Sequence, residues 1–344
     1  VALLSIALNK IGLAAKPMLG YQVGIRTDNL FSKARITDIQ TDSLNSCIQQ
    51  GVIPVIAGFQ GVDEDDNITT LGRGGSDTSA VAIAAALGLD VCEIYTDVPA
   101  VFSADPRLVP KAKEIPKISF EEMIEMASLG SKVLQIRSVE IAAKYNVKIH
   151  LRSTFEARKG SWILGEGEFM ESPSVTSVTH DANTVIIKLL DVPPGVSFLA
   201  DLFSKLTQKG VSVDIITQSK GGERQNVAFS VTEEDLILTQ HGLSEILVDG
   251  QGIRYEVHKG LAKISIIGVG MRNHPGVAAK FFETLRGLDV DVHLVTTSEI
   301  KISAVIDLDK LKAVANSLHH AFDLDFSCVT QTTKPLSTQN FGGL

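Results

Sequence analysis

Between Thr69 and Ala80 the sequence TTLGRGGSDTSA places one cation, one anion and several hydroxyls among glycines. Arg73 can fork a carboxylate, Asp77 can hold an ammonium group, and Ser76 stands between them. The run that follows, SAVAIAAALG, is almost entirely small and apolar and predicts a buried helix whose N-terminus opens towards a ligand. Both signs of charge on one glycine loop suit a zwitterion such as an amino acid better than a bare phosphate. Ser and Asp before a helix are also ordinary N-caps, and Gly-Gly is an ordinary turn, so capping stays open on these residues alone. The spacing matches neither a Walker A loop nor the dinucleotide fingerprint.

The elements that must position this loop alternate along residues 1 to about 165. YQVGI, ARITDI, VIPVIAGF, VCEIYTD and VKIHLRS read as strands. DSLNSCIQQG, SAVAIAAALG, FEEMIEMASL and KVLQIRSVEIAAKY read as helices. Val1 to Gly12 reads as a further helix with Gly12 as its stop. The alternation predicts an α/β fold with a mainly parallel sheet sandwiched by helices, and ligands beyond the carboxyl ends of its strands. The acidic run Asp63-Glu64-Asp65-Asp66 predicts a solvated hairpin tip rather than a metal site.

A second run, TDVPAVFSADPR from Thr96 to Arg107, follows the apolar strand VCEIY and ends in a charged turn. Together with TTLGRGGSDTSA and SFEEMIEMASLGSKVL, Ser119 to Leu134, it resembles the aspartate kinase family, monofunctional aspartokinases of the amino-acid kinase fold. The resemblance spans nearly the whole chain with its motifs in order. It implies phosphoryl transfer from ATP, with Mg²⁺, to the β-carboxylate of L-aspartate, chemistry that rests on positioning and charge neutralisation. By motif, Arg73, Ser76 and Asp77 contact aspartate. Thr96, Asp97, Phe102, Asp105, Arg107 and Lys132 contact ATP, Phe102 standing where many relatives carry Tyr. No protein ligand is assigned to the metal. The family's catalytic lysine belongs to a KFGGTS loop that is not in this sequence. The expectation is therefore an N-terminally truncated kinase part over 1–165, inactive by itself.

Beyond GEGEFMESPSVTS the chain repeats itself. VPPGVSFLADLFSKLTQKGVSVDIITQS and NHPGVAAKFFETLRGLDVDVHLVTTS each give a Pro-Gly start, an amphipathic helix, a Gly and a β-branched strand. The order predicts two ferredoxin-like βαββαβ units, at 181–257 and 258–330, followed by a disordered tail at 331–344. Such pairs resemble the ACT amino-acid-sensing domains of the same family. That implies effector binding, of lysine, threonine or both, at Ser212, Val213, Asp214 and Gln218 in the first unit. Asp291, Val292, Ser298 and Glu299 match in the second. It also implies a homo-oligomer paired through these units, although edge-strand polarity accounts for the same residues. His319 and His320 read as surface residues, not ligands.

At 344 residues, with 44% hydrophobic and 21% charged residues, the chain has the composition of a soluble globular protein of two or three domains. A net charge of −8 argues against nucleic acid as a partner. Cys47, Cys92 and Cys328 fit reduced thiols in a cytoplasmic compartment, and no membrane-spanning run or signal sequence is legible. Two other classes compete with the kinase: a non-catalytic amino-acid-binding regulatory chain, and another amino-acid kinase such as a glutamate kinase. The tandem repeats argue against the latter.

Overall fold

The computed structural model describes residues 1–131, 133–169, 174–221, 224–247 and 252–325. Lys132 and the 331–344 tail lie outside them. The first part runs α1 (Ala2–Lys10), β1 (Ala15–Met18), β2 (Ile25–Thr27), β3 (Ile36–Ile39), α2 (Asp42–Gln49) and β4 (Ile53–Ile56). It continues through β5 (Gln60–Val62), β6 (Ile68–Thr70), α3 (Gly75–Ala86), β7 (Val91–Thr96), β8 (Lys117–Ser119) and α4 (Phe120–Ser128). α5 (Ile136–Tyr145), β9 (Lys148–Ser153) and β10 (Ser161–Leu164) complete it.

The strands form three hydrogen-bonded sets. β1 pairs with β4 in parallel, and β7 pairs with β9 in parallel. β10 joins β9 antiparallel and β8 parallel. β3-β2-β5-β6 form a third set, mixed in direction. α3, α4 and α5 cover the second set, with Met123, Val139, Ile149, Leu151 and Ile163 in one core. The mainly small residues of α3 let α5 pack closely against it.

Two sequence expectations give way here. YQVGI is no strand: a 3₁₀ turn covers Gly20–Val23, Gly24 takes φ +68°, and the strand starts only at Ile25. Gly20 lies so close to Gln60 that a Cβ would stand 2.5 Å from its carbonyl oxygen, so the chain bends around β5. The acidic run does close a β5–β6 hairpin, but Asp63 is buried. Its carboxylate accepts from the N–H groups of Asp65 (3.1 Å) and Asn67 (2.8 Å), which shapes the turn from inside.

The second part is one six-stranded sheet. Its elements are β11 (Ser177–Val192), α6 (Ser197–Gln208), β12 (Ile216–Gly221), β13 (Arg224–Thr232), α7 (Leu236–Ile246) and β14 (Arg254–Ile267). α8 (Val277–Gly287), β15 (Val292–Thr297), β16 (Lys301–Asp307) and α9 (Leu311–Ala321) follow. The order is β12-β13-β11-β14-β16-β15, so β12 and β15 are its two edges. The repeats share the long strands: β14 pairs with β11 over both Arg254–Leu261 and Lys263–Ile267, with a register shift where Gly260 takes φ +71°. Ser177–Asp181 thereby occupy the place beside the start of the second unit. α6 and α7 cover one core, around Phe229 and Leu243, while α8 and α9 cover another, around Phe281 and Leu318.

His319 departs from its expectation. It is fully buried and hydrogen-bonded on both ring nitrogens, because Asp325, six residues on, folds back beneath α9. His320 is exposed as read, though it too meets Asp325, at 2.8 Å.

α4 joins the two parts. Ser119 caps it and Glu122 returns the bond, an S-x-x-E box. The buried Glu122 carboxylate also accepts from the Thr176 hydroxyl at 2.6 Å and from the Val269 N–H at 3.1 Å. Glu125 pairs with Lys301 at 2.8 Å, and Glu121 with Arg272 at 2.7 Å. Gly130, just beyond, approaches the β11 backbone so closely that a Cβ would stand 2.4 Å from the His180 oxygen.

Candidate functional site

α3 begins at Gly75, with Gly74 at the N-cap and no side-chain cap, so Ser76 and Asp77 sit within the first turn. The capping alternative is thus not the one the chain adopts. Gly72 and Gly74 take φ +84° and +67°, which a β-carbon would strain. At Gly74 a Cβ would also stand 2.5 Å from the Gln135 Cγ, so the loop lies directly on the start of α5. Gly58, past the carboxyl end of β4, backs onto Ser76. Phe59, at φ +73°, accepts from the Leu71 N–H at 3.0 Å and donates its own N–H to Ser79 Oγ at 3.0 Å.

Asp77 is half-buried. Burial pushes its carboxyl pKa up, against the opposing pull of the Gln135 N–H and the Ser76 hydroxyl. Arg73 on the same loop is exposed and has no partner among the described residues. The loop therefore offers an unpaired guanidinium and a partly desolvated carboxylate. Nearby Cys92 is buried and stays a thiol, its pKa pushed up to about 11 by burial and by the charges of Asp77 and Glu93.

Sequence reading missed the residues that hold this loop. Arg137 of α5 donates to the main-chain oxygens of Leu71 and Ala34, at 2.8 and 2.9 Å. Its signal, an Arg early in a helix, is not distinctive. Gln135 was hidden for the same reason.

Thr96 closes β7 and Asp97 follows it, beside Ser153 at the end of the parallel β9. The Thr96 hydroxyl donates to the Asp97 carboxylate at 3.1 Å. Phe102 is half-buried and bridges to Glu114. Asp105 accepts the Arg107 N–H at 2.9 Å on its carboxylate, and the Leu108 and Val109 N–H groups on its main-chain oxygen, which makes ADPR a closed turn. The Arg107 side chain projects from it, 94% exposed. Among the described residues no group of three or more His, Cys, Asp or Glu is placed to hold a metal. Nor is any helix there long and apolar enough to cross a membrane.

The two segments expected to bind effectors lie along opposite edges of the six-stranded sheet. Ser212 is exposed and Val213 half-buried; Asp214 pairs with Lys263 of β14, and Gln218 with Gln225. Lys263, almost wholly buried mid-strand, was not foreseen. On the other edge Asp291 is exposed and Val292 packs on the second core. The Ser298 N–H bonds Lys301, and Glu299 pairs with Arg272 at 3.1 Å, the third carboxylate around that guanidinium. Within one chain the segments stay apart.

Residues 1–153 match the family model of the amino acid kinase family, and residues 264–322 match that of the ACT domain. The chain is 42% identical over 332 residues to the aspartokinase of Bacillus sp. (strain MGA3), covering 96% of this chain and 80% of that protein. Two solved structures are similar in fold. E. coli aspartokinase III in complex with aspartate and ADP (R-state) has a TM-score of 0.75 at 26% identity, covering 91% of this chain and 71% of that one. The same enzyme with lysine and aspartate (T-state) has a TM-score of 0.74 at 27% identity, covering 93% and 72%. Matched over 96% of its own length and 80% of that Bacillus relative's, with an amino acid kinase part followed by an ACT part, the chain belongs to the aspartokinase family.

Proposed function

We propose that this kinase moves the γ-phosphoryl group of ATP to the β-carboxylate of L-aspartate, giving 4-phospho-L-aspartate, the first step towards lysine, threonine and methionine. The observation that carries the reading is the pair on one loop: Arg73, exposed and unpaired among the described residues, and Asp77, half-buried with a raised pKa. A zwitterion supplies an opposite charge to each. Arg73 takes a carboxylate, Ser76 hydrogen-bonds it, and Asp77 takes the ammonium group. The aspartate and ADP carried by E. coli aspartokinase III support this choice of substrates.

The nucleotide lies beyond the carboxyl end of β7. Thr96 and Asp97 hold the adenosine, Phe102 packs on it, and Arg107 faces the phosphates from the Asp105 turn, together with Lys132. Mg²⁺ accompanies the nucleotide as a counterion, and among the described residues no group of three or more His, Cys, Asp or Glu is placed to hold it. The chemistry this chain supplies is alignment and charge neutralisation of two anions.

The six-stranded sheet is a feedback sensor for lysine, threonine or both, in keeping with the lysine bound by E. coli aspartokinase III. Because β12 and β15 are opposite edges of one sheet, the effector sites at Ser212–Gln218 and Asp291–Glu299 come together when two chains pair through them. Aspartyl phosphate trapped as its hydroxamate, with ATP, Mg²⁺ and L-aspartate supplied, tests the activity. Formation with glutamate but not aspartate would overturn the substrate assignment. Binding of lysine or threonine with no binding of ATP or L-aspartate would favour a regulatory chain.

A further inference from the structure

The segment read as facing the ATP phosphates is built into the core of the second ferredoxin-like unit. Ala104 and Val109 are buried in the cluster that holds Phe281, Ala304, Leu318 and Phe322. Asn316 of α9 donates to the Leu108 oxygen at 3.0 Å, and Val178 of β11 donates its N–H to the Ser103 oxygen at 2.8 Å. Ser103 forms the base of this loop. Its N–H donates to the Lys113 oxygen at 2.8 Å, and its hydroxyl accepts from the Lys113 N–H at 2.9 Å.

The same hydroxyl meets Nε2 of His319 at 2.8 Å, while Nδ1 meets the Asp325 carboxylate at 2.6 Å. An ionised carboxylate can only accept, so Nδ1 carries the ring proton and Nε2 of the neutral ring accepts from the Ser103 O–H. The chain Asp325, His319, Ser103, Lys113 N–H then has one donor for each acceptor, in a place from which water is excluded. Ser103 is 4% exposed and His319 0%. A serine, a histidine and an aspartate in this order also occur in hydrolases. Here the hydroxyl is buried and occupied on both sides, which leaves no room for a substrate carbonyl.

We propose that His319 is a positioning residue for the nucleotide site: through Ser103 it fixes the base of the loop that carries Asp105 and Arg107, so that the second unit sets where the guanidinium points. This rests on the reading of Arg107 as a phosphate contact. A buried hydrogen bond suits the task better than apolar packing alone, because it admits one register of the loop and leaves unpaired groups in any other.

The test uses the full chain, titrated by calorimetry with ATP and Mg²⁺ and separately with L-aspartate. Ser103→Ala and His319→Leu each break the buried Ser103–His319 hydrogen bond and are expected to weaken ATP binding about tenfold while leaving aspartate binding within about twofold. Ser103→Thr keeps the hydroxyl and restores ATP binding. Phe281→Leu opens the same core away from Ser103, so it lowers the melting temperature without changing ATP binding. If His319→Leu does not fold, Ser103→Ala against Ser103→Thr decides. Normal ATP binding in Ser103→Ala, with ATP binding lost in Arg107→Ala, overturns the role of His319 and spares the nucleotide site. Unchanged ATP binding in Arg107→Ala overturns the nucleotide reading and this inference with it. Parallel loss of both ligands, shared by Phe281→Leu, shows His319 to be structural only.

Discussion

Arg137 Nη1 donates to the main-chain oxygen of Leu71 at 2.8 Å, so α5, which lies well beyond the Arg73–Asp77 loop in sequence, holds the entrance to it. Its second nitrogen reaches Ala34, whose own N–H bonds Thr70 at 2.9 Å. One guanidinium therefore ties α5, the segment leading into β3 and the strand before Gly72. Arg137→Leu strands two carbonyl oxygens and frees the loop. Charge-assisted bonds of this kind are worth about 1.5–3 kcal/mol. Calorimetry should show aspartate binding weakened by tenfold or more, with Arg137→Lys intermediate, because an ammonium cannot span both carbonyls.

Arg73→Ala and Asp77→Ala each remove one proposed partner of the zwitterion. Each is expected to raise the dissociation constant for aspartate by about tenfold to a hundredfold and leave ATP binding nearly intact. Arg107→Ala should do the reverse. Separate titrations with the two ligands check this, and loss of ATP binding in the first pair would show the zwitterion assignment to be wrong.

Gly74→Ala tests the backbone. Its φ of +67° and the Gln135 side chain 2.5 Å from the new Cβ oblige the loop or α5 to move. Aspartate binding should fall while the melting temperature changes little, since the loop is a small part of the core. Gly51→Ala, with the same sign of φ but open space, is the control for strain alone.

Glu122 bridges the two parts through four accepted hydrogen bonds, two from Ser119 and one each from Thr176 and Val269. Glu122→Ala leaves the buried Val269 and Ser119 N–H groups unpaired, at about 1–3 kcal/mol each. Thermal unfolding should drop by several degrees and separate into two transitions as the parts uncouple.

Stability should also depend on pH through His319. Burial lowers its pKa below the ordinary 6.5, and the bond to Asp325 offsets this only in part. Lys111 and Lys113 face the ring with Asp325, and His320 shares that carboxylate. The folded state binds the proton less readily than the unfolded chain, so the contribution is full above 6.5 and is lost as pH falls below it. Melting temperatures followed from neutral pH downward should fall more steeply for the natural chain than for His319→Leu.

The sequence alone determined the local elements whose causes are local. The apolar run of α3 and the Gly12 stop of α1 are written in neighbouring residues and formed as read. The helix and strand order of the repeats was legible as well, because that periodicity survives without knowledge of the partner. Among the described residues, however, the second repeat has no closing strand of its own, and Ser177–Asp181 of β11 lie beside β14 instead. The zwitterionic character of the Arg73–Asp77 loop was legible too, since side-chain charge is a property of the residue.

Only the tertiary structure decided what depends on distant segments. Short strands such as β8 and β10 have no alternation long enough to read, and exist because a neighbour supplies their hydrogen bonds. The repeats looked separate in sequence, yet β11 and β14 run through both and make one sheet. Asp63, Lys263 and His319 carry polar side chains that composition assigns to the surface. Asp63 is satisfied within its own turn, by Asp65 and Asn67, whereas Lys263 and His319 are buried because Asp214, and Ser103 with Asp325, are brought to them by the fold. A single residue type cannot announce such a partner, since the desolvation cost of a buried polar group is offset only by geometry that the whole fold creates.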